Sequence, residues 1–188
     1  MKKLVFILFA LSIFSNVYAQ KNLNFDLAFG ANYPRFTDLP FDYKGDFGFN
    51  GTLRMWYNIS DEFSIGVETN YMQLNHSNND GAFLKSHYIG LPLLVKRTFP
   101  SNLYVAVGVG YLGLAASEEV SFRTEVAGSS IPAPFSELQG FIYLPATLGY
   151  NISKGLFVEI NSLWGLSNMS KTYEYKASPI ALSLGFRL

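Results

Sequence analysis

The stretch Leu23-Asn24-Phe25-Asp26-Leu27-Ala28-Phe29-Gly30-Ala31-Asn32-Tyr33 decides the fold. Its odd positions, Leu23, Phe25, Leu27, Phe29, Ala31 and Tyr33, are apolar, whereas its even positions, Asn24, Asp26, Ala28, Gly30 and Asn32, are polar or small. Side chains of an extended strand alternate between two faces, so the stretch predicts a strand with two different neighbours. The same period recurs in Phe47–Asn58, where Phe47, Phe49, Leu53, Met55 and Tyr57 oppose Gly48, Asn50, Thr52 and Arg54. It recurs again in Phe63–Leu74, where Phe63, Ile65, Val67 and Tyr71 oppose Ser64, Gly66, Glu68 and Asn70. Five more candidates follow, Ser86–Thr98, Leu103–Ala115, Gly140–Tyr150, Gly155–Leu166 and Ser178–Leu188, which makes eight strands.

Their connections alternate in length. Pro34–Asp46, Asn75–Lys85, Ala116–Gln139 and Ser167–Ala177 are long, while Ile59–Glu62, Phe99–Asn102 and Asn151–Lys154 are short. Two short joints repeat a phrase, Tyr57-Asn58-Ile59-Ser60 and Tyr150-Asn151-Ile152-Ser153, in which Asn and Ser supply turn chemistry. An even number of antiparallel strands with short turns at one end and long loops at the other is the layout of a bacterial outer-membrane barrel. In that layout the long loops are extracellular and both termini periplasmic.

A soluble up-and-down barrel shares the strand count and differs in which face looks outward. Charge placement separates the two. The chain of 188 residues is 49% apolar, 16% aromatic and 15% charged, well below the roughly 25% charged residues of an ordinary soluble domain. Within the eight expected strands only Asp26, Arg54, Glu68, Lys96, Arg97, Glu159 and Arg187 are charged, and all but Arg97 lie on the polar-or-small face. Too little charge remains to solvate eight outer faces, so the apolar face predicts lipid as its partner. In hydrocarbon every backbone amide needs a partner, and a closed barrel provides one without an edge. Tyr33, Tyr57, Tyr71, Tyr111, Tyr150 and Trp164 fall near strand ends on the apolar parity, as interfacial girdles would.

Export is read from Met1–Ala19, in which Lys2-Lys3 precede an apolar run from Leu4 and Val17-Tyr18-Ala19 precedes Gln20. This is the pattern of a signal peptide cleaved between Ala19 and Gln20, leaving residues 20–188 as one barrel domain. The apolar run is short of the roughly 20 residues of a spanning helix. The absence of cysteine excludes a disulfide framework, and loss of Lys2 and Lys3 with the signal peptide takes the 14 basic residues to 12 against 14 acidic ones, net −2, which gives no reason to expect nucleic acid.

A family resemblance follows from two hairpins. Tyr88-Ile89-Gly90-Leu91-Pro92-Leu93-Leu94-Val95-Lys96, a Phe99-Pro100 turn and Leu103–Gly113 form the first. Gly155-Leu156-Phe157-Val158-Glu159, Leu163-Trp164-Gly165-Leu166 and Leu182–Leu188 form the second. Together they resemble the PorT-like outer-membrane β-barrel proteins of Bacteroidetes. The resemblance implies a membrane barrel, some relatives of which are linked to protein secretion, and specifies no reaction.

The six inward charges alternate in sign around the sheet: Asp26, Arg54, Glu68, Lys96, Glu159 and Arg187, with Arg187 beside Asp26 on closure. All sit in the short-turn half of their strands. They predict a belt of ion pairs that plugs the lumen there, because eight strands leave room only for side chains and buried charges must be paired. A narrow pore is the alternative. A lipid-modifying enzyme is the other, since it needs a base near a hydroxyl and a third orienting group. His76 lies beside Ser77 and near Asp80, and His87 beside Ser86 and near Lys85. Read as ordinary strand and loop residues, they predict no catalytic centre, and neither they nor Glu118-Glu119 predict a metal or cofactor site. The long connection Ala116–Gln139, with alternating Val120, Phe122, Thr124 and Val126, predicts a projecting strand pair or a binding loop. Expected partners are therefore outer-membrane lipid, the barrel insertion machinery and a surface or periplasmic protein.

Overall fold

The computed structural model describes residues 22–37, 44–77, 82–121, 138–171 and 173–188. The expected signal peptide and its Ala19–Gln20 junction lie outside them, as do Phe122, Thr124 and Val126. Eight long strands form the wall: β1 (Leu23–Tyr33), β2 (Gly48–Asn58), β3 (Phe63–Ser77), β4 (Ala82–Thr98), β5 (Leu103–Ser121), β6 (Phe141–Asn151), β7 (Leu156–Gly165) and β8 (Ile180–Arg187). Each pairs antiparallel with its neighbours in sequence, and β8 pairs with β1, so the sheet closes. Partner by partner around the ring, Leu23 leads to Tyr57, Ile65, Val95, Val107, Ala146, Ser162 and Ile180, and then to Tyr33, ten residues further along β1. Such a stagger tilts the strands by about 40° and leaves an interior that side chains can fill.

The alternation maps onto this wall. Asp26, Asn32, Asn50, Thr52, Arg54, Glu68, Asn70 and Glu159 are buried inside, while Phe29, Leu53, Val67, Leu93, Val107, Leu148, Ile160 and Leu182 are exposed outside. Tyr33, Tyr57, Tyr71, Tyr111, Tyr150 and Trp164 all face outward. The repeated phrase folds into a repeated turn: the Ile59 and Ser60 amides donate to the Phe63 carbonyl, and those of Ile152 and Ser153 to Leu156. In both turns the serine hydroxyl accepts from the backbone amide three residues on, that of Phe63 or Leu156. The third short turn places Asn102 at φ 66°, a left-handed position that asparagine tolerates.

Three strands exceed their expected ends. β3 runs to Ser77 instead of Leu74, β4 begins at Ala82 instead of Ser86, and β5 continues to Ser121 instead of Ala115. His76 and Glu118-Glu119 therefore belong to strands and not to loops. Beyond Leu74 the residues Asn75, His76 and Ser77 break the apolar–polar alternation, yet their backbones still pair with Lys85, Leu84 and Phe83. Backbone pairing persists where a lipid-facing pattern is no longer required. Short strands Phe36–Thr37 and Lys176–Ala177 pair with each other across the long-loop mouth, and Lys44–Asp46 adds to the far end of β3.

Two prolines interrupt the wall from within. No pairing joins Glu68 and Thr69 to β4 opposite Pro92 and Leu91, nor Gly108 and Val109 to β6 opposite Pro145 and Leu144. A proline nitrogen carries no hydrogen, so each removes one rung of the ladder. Large inward rings are accommodated by glycine on the adjoining strand. Trp56 lies opposite Gly66, Tyr104 opposite Gly149, and Phe157 opposite Gly185. A Cβ at Gly149 would stand 2.0 Å from the Tyr104 ring, and one at Gly185 would stand 2.1 Å from the Phe157 ring.

Candidate functional site

The lumen has two differently filled halves. In the short-turn half, Arg54 on β2 reaches carboxylates on two opposite strands of the eight-membered ring. Its Nε donates to Glu68 on β3, while Nη1 and Nη2 donate to the two oxygens of Glu159 on β7 at 2.6 and 2.7 Å. The fork geometry of guanidinium suits this bidentate contact. Each carboxylate has further donors. Asn70 donates to Glu68 at 2.8 Å, and Tyr104 and Asn161 donate to Glu159 at 2.8 and 3.0 Å. Asn70 also meets the Tyr143 hydroxyl at 2.9 Å, and Thr147 donates to Asn161 at 2.6 Å. One hydrogen-bonded chain thus crosses the barrel from wall to wall.

Asp26 and Arg187 form a separate couple at 2.9 Å, made neighbours by the closure of β8 on β1. The Trp56 indole N–H donates to the other Asp26 oxygen at 2.9 Å. Although Asp26 stands directly opposite Arg54 in the β1–β2 register, their charges are spent on other partners. The expected continuous belt is therefore divided in two.

Lys96 departs from the expected ion pairing. Among the described residues no carboxylate lies within ion-pair distance of it. Its ammonium instead sits 4.1 Å from the centre of the Trp56 ring and 5.9 Å from that of Tyr104. A desolvated cation over an aromatic face is attracted to the ring's negative face. Lys96 also balances the local charge: three inward acids, Asp26, Glu68 and Glu159, face three inward bases, Arg54, Lys96 and Arg187.

The long-loop half is filled by hydrocarbon. Met72, Leu74, Tyr88, Leu112, Phe141, Tyr143 and Leu163 point inward from the wall and pack with Leu138, Met169, Tyr175 and Ala177 from the connections. The connection after β7 is pinned in the mouth by its backbone. Gln139 N–H donates to the Met169 carbonyl at 2.8 Å, Met169 N–H to Tyr175 at 3.0 Å, and Ser178 N–H to Arg35 at 2.7 Å. Phe36, in the first long connection, stacks on buried His76 at 4.3 Å. Burial holds the Tyr175 phenol above its ordinary pKa, so it remains a neutral part of this packing. Sequence reasoning missed Met169 and Tyr175, because isolated apolar residues in a connection carry no period. Between the halves lies a cavity of about 20 Å³, bounded by Thr52, Arg54, Glu68, Asn70, Pro145 and Leu163. That is room for about one water molecule.

The histidines are placed apart. His76 is buried inside the mouth, whereas His87 faces outward and its Nδ1 lies 2.7 Å from the Tyr71 hydroxyl. Ser86, adjacent to His87, is buried on the opposite side of the wall, as strand alternation requires. Asp80 lies outside the described residues.

No family model matches the chain, and no curated protein sequence does either. Among solved structures it is similar to Neisserial surface protein A (NspA), with a TM-score of 0.56 and 16% identity over 87% of this chain and 96% of that one. It is also similar to the outer membrane protein OprG from Pseudomonas aeruginosa, with a TM-score of 0.51 and 16% identity over 90% of this chain and 97% of that one. At these identities the likeness is one of fold: a closed, eight-stranded antiparallel barrel of the outer-membrane type. It does not extend to the PorT-like family in particular.

Proposed function

We propose that the chain is a bacterial outer-membrane barrel with a plugged lumen, acting as a structural or surface-interaction protein and not as a channel or an enzyme. The observation that carries this reading is Arg54, which joins β3 to β7 across the ring through Glu68 and Glu159 and leaves only a water-sized void beside it. A solute path would have to break that bridge and also displace the apolar packing above it. The exposed apolar wall supports placement in lipid, with the long connections outside the cell and both termini in the periplasm.

On this reading the specificity resides in the long connections. The partners are outer-membrane lipid, the insertion machinery that delivers the barrel, and a surface or periplasmic protein. Kinship with the PorT-like proteins is part of the proposal and rests on the Tyr88–Gly113 hairpin and the final hairpin alone.

Planar-bilayer recording of the refolded barrel tests the plug. Wild type is expected to show no stable conductance steps, and stable steps whose ion selectivity changes in Arg54→Ala would overturn the reading. Lipid A mass spectra test the absence of catalysis. Overexpression is expected to leave them unchanged, whereas a deacylated or palmitate-bearing product lost in His87→Ala would establish an enzyme.

A further inference from the structure

The outer wall is not evenly convex. On the short-turn half of β2 to β5 it carries an apolar groove of about 520 Å³, within the roughly 300–1,000 Å³ of small-molecule sites. The groove coincides with the short side chains Val67, Val95 and Val109, flanked by the longer Met55, Tyr57 and Leu93. Its lining is aliphatic side chains and glycines together with the Met55 thioether and the Tyr57 ring, and it holds no charged residue.

One strand step beyond Val95, on the same outward parity and toward the turn, stands Arg97. Among the described residues it is the one charged side chain that the strands turn outward in this half of the wall. Its guanidinium lies 5.4 Å from the centre of the Phe63 ring and 5.1 Å from that of Phe99, the edge where hydrocarbon gives way to water. Nη2 donates to Glu62 at 3.3 Å, with both side chains about half exposed. Exposed pairs of this kind are weak, and the remaining guanidinium donors are left for another acceptor.

From Arg97 to Leu93 is about 13 Å along the strand, at a rise of about 3.3 Å per residue. A cation at the membrane edge followed at once by a hydrocarbon groove is complementary to one amphiphile: a phosphate joined to an acyl chain. We propose that this face is a binding site for a glycerophospholipid of the periplasmic leaflet, with its phosphate on Arg97 and one acyl chain in the groove between β2 and β5. The proposal rests on the outer-membrane reading with periplasmic short turns. Glu62 competes with the phosphate for the same guanidinium and so sets how tightly the lipid is held.

The test uses the barrel refolded into nanodiscs of phosphatidylethanolamine with a minority of phosphatidylglycerol, then released into detergent and weighed by native mass spectrometry. Insertion is measured separately, by the gel shift of the unheated barrel. Wild type is expected to retain one phospholipid. Arg97→Ala, which removes the phosphate ligand, and Val67→Trp, which fills the groove, are each expected to lower its occupancy about tenfold, whereas Arg97→Lys retains it and Glu62→Gln raises it. If all the variants insert and hold lipid equally, or if the groove carries a second copy of the chain in its place, the lipid site is wrong while the membrane barrel stands. If wild type itself does not insert, the outer-membrane reading falls and the site with it.

Discussion

The two halves of the lumen solve the same problem, a core too narrow to hold a column of solvent, with opposite chemistries. Toward the short turns the space is crossed by Arg54 between Glu68 and Glu159, by Asp26 with Arg187, and by Lys96 over Trp56. Toward the long loops it is filled by Met72, Leu112, Phe141 and Tyr143 with Met169 and Tyr175. A charged core tolerates little error, because each group removed leaves its partner buried and uncompensated. An apolar core tolerates rearrangement of its members as long as volume is conserved. The wall pairing near the charges is further reinforced by ring-over-glycine contacts such as Tyr104 on Gly149, which aim the phenol at Glu159. The mouth is closed by a connection that is held through backbone hydrogen bonds.

The contrast can be broken by mutation. Glu159→Ala should be the most damaging change, costing about 3–5 kcal/mol in equilibrium urea unfolding from lipid vesicles, because Arg54 is then left with Glu68 alone. Met169→Ala should cost about 2–4 kcal/mol, the loss of a buried side chain from a site that can partly collapse. The two should add in the double variant within about 0.5 kcal/mol, since they lie in separate halves, and a larger coupling would mean that the lumen is one unit. Gly149→Ala should cost about 1–3 kcal/mol by displacing the Tyr104 ring, and a Tyr104→Phe background should reduce that penalty by removing the bond to Glu159. Glu62→Ala, at the exposed Arg97 pair, should change stability by no more than about 1 kcal/mol, which marks the difference between a charge pair inside the lumen and one outside it.

Much of this architecture is legible in the chain. Alternation from Leu23 to Tyr33 reports both faces of β1, and the repeated Tyr-Asn-Ile-Ser phrase reports two turns with the same hydrogen bonds. The strand ends near Ser77, Ala82 and Ser121 were not legible, because outside the apolar band the period of two is lost, in the polar runs Asn75-His76-Ser77 and Ser117-Glu118-Glu119 and in the apolar run Ala82-Phe83-Leu84, while pairing continues. The ion-pair candidates are visible as six charges on one parity, but their partners are not. Adjacent Asp26 and Arg54 make no bond, while Arg54 bonds Glu159, 105 residues away.

What the sequence by itself determined is the periodic part: eight strands, the inward and outward sets, short turns against long loops, and Arg97 as the outward exception. These follow from local geometry, since side-chain direction along a strand depends only on residue parity. The tertiary structure alone decided that Lys96 rests on Trp56 and not on a carboxylate, that Met169 and Tyr175 fill the mouth, and that a groove lies beside Arg97. Those outcomes depend on the ten-residue stagger of the closed sheet, which sets which side chains from distant strands share a level of the barrel. A period of two along the chain carries no record of that stagger.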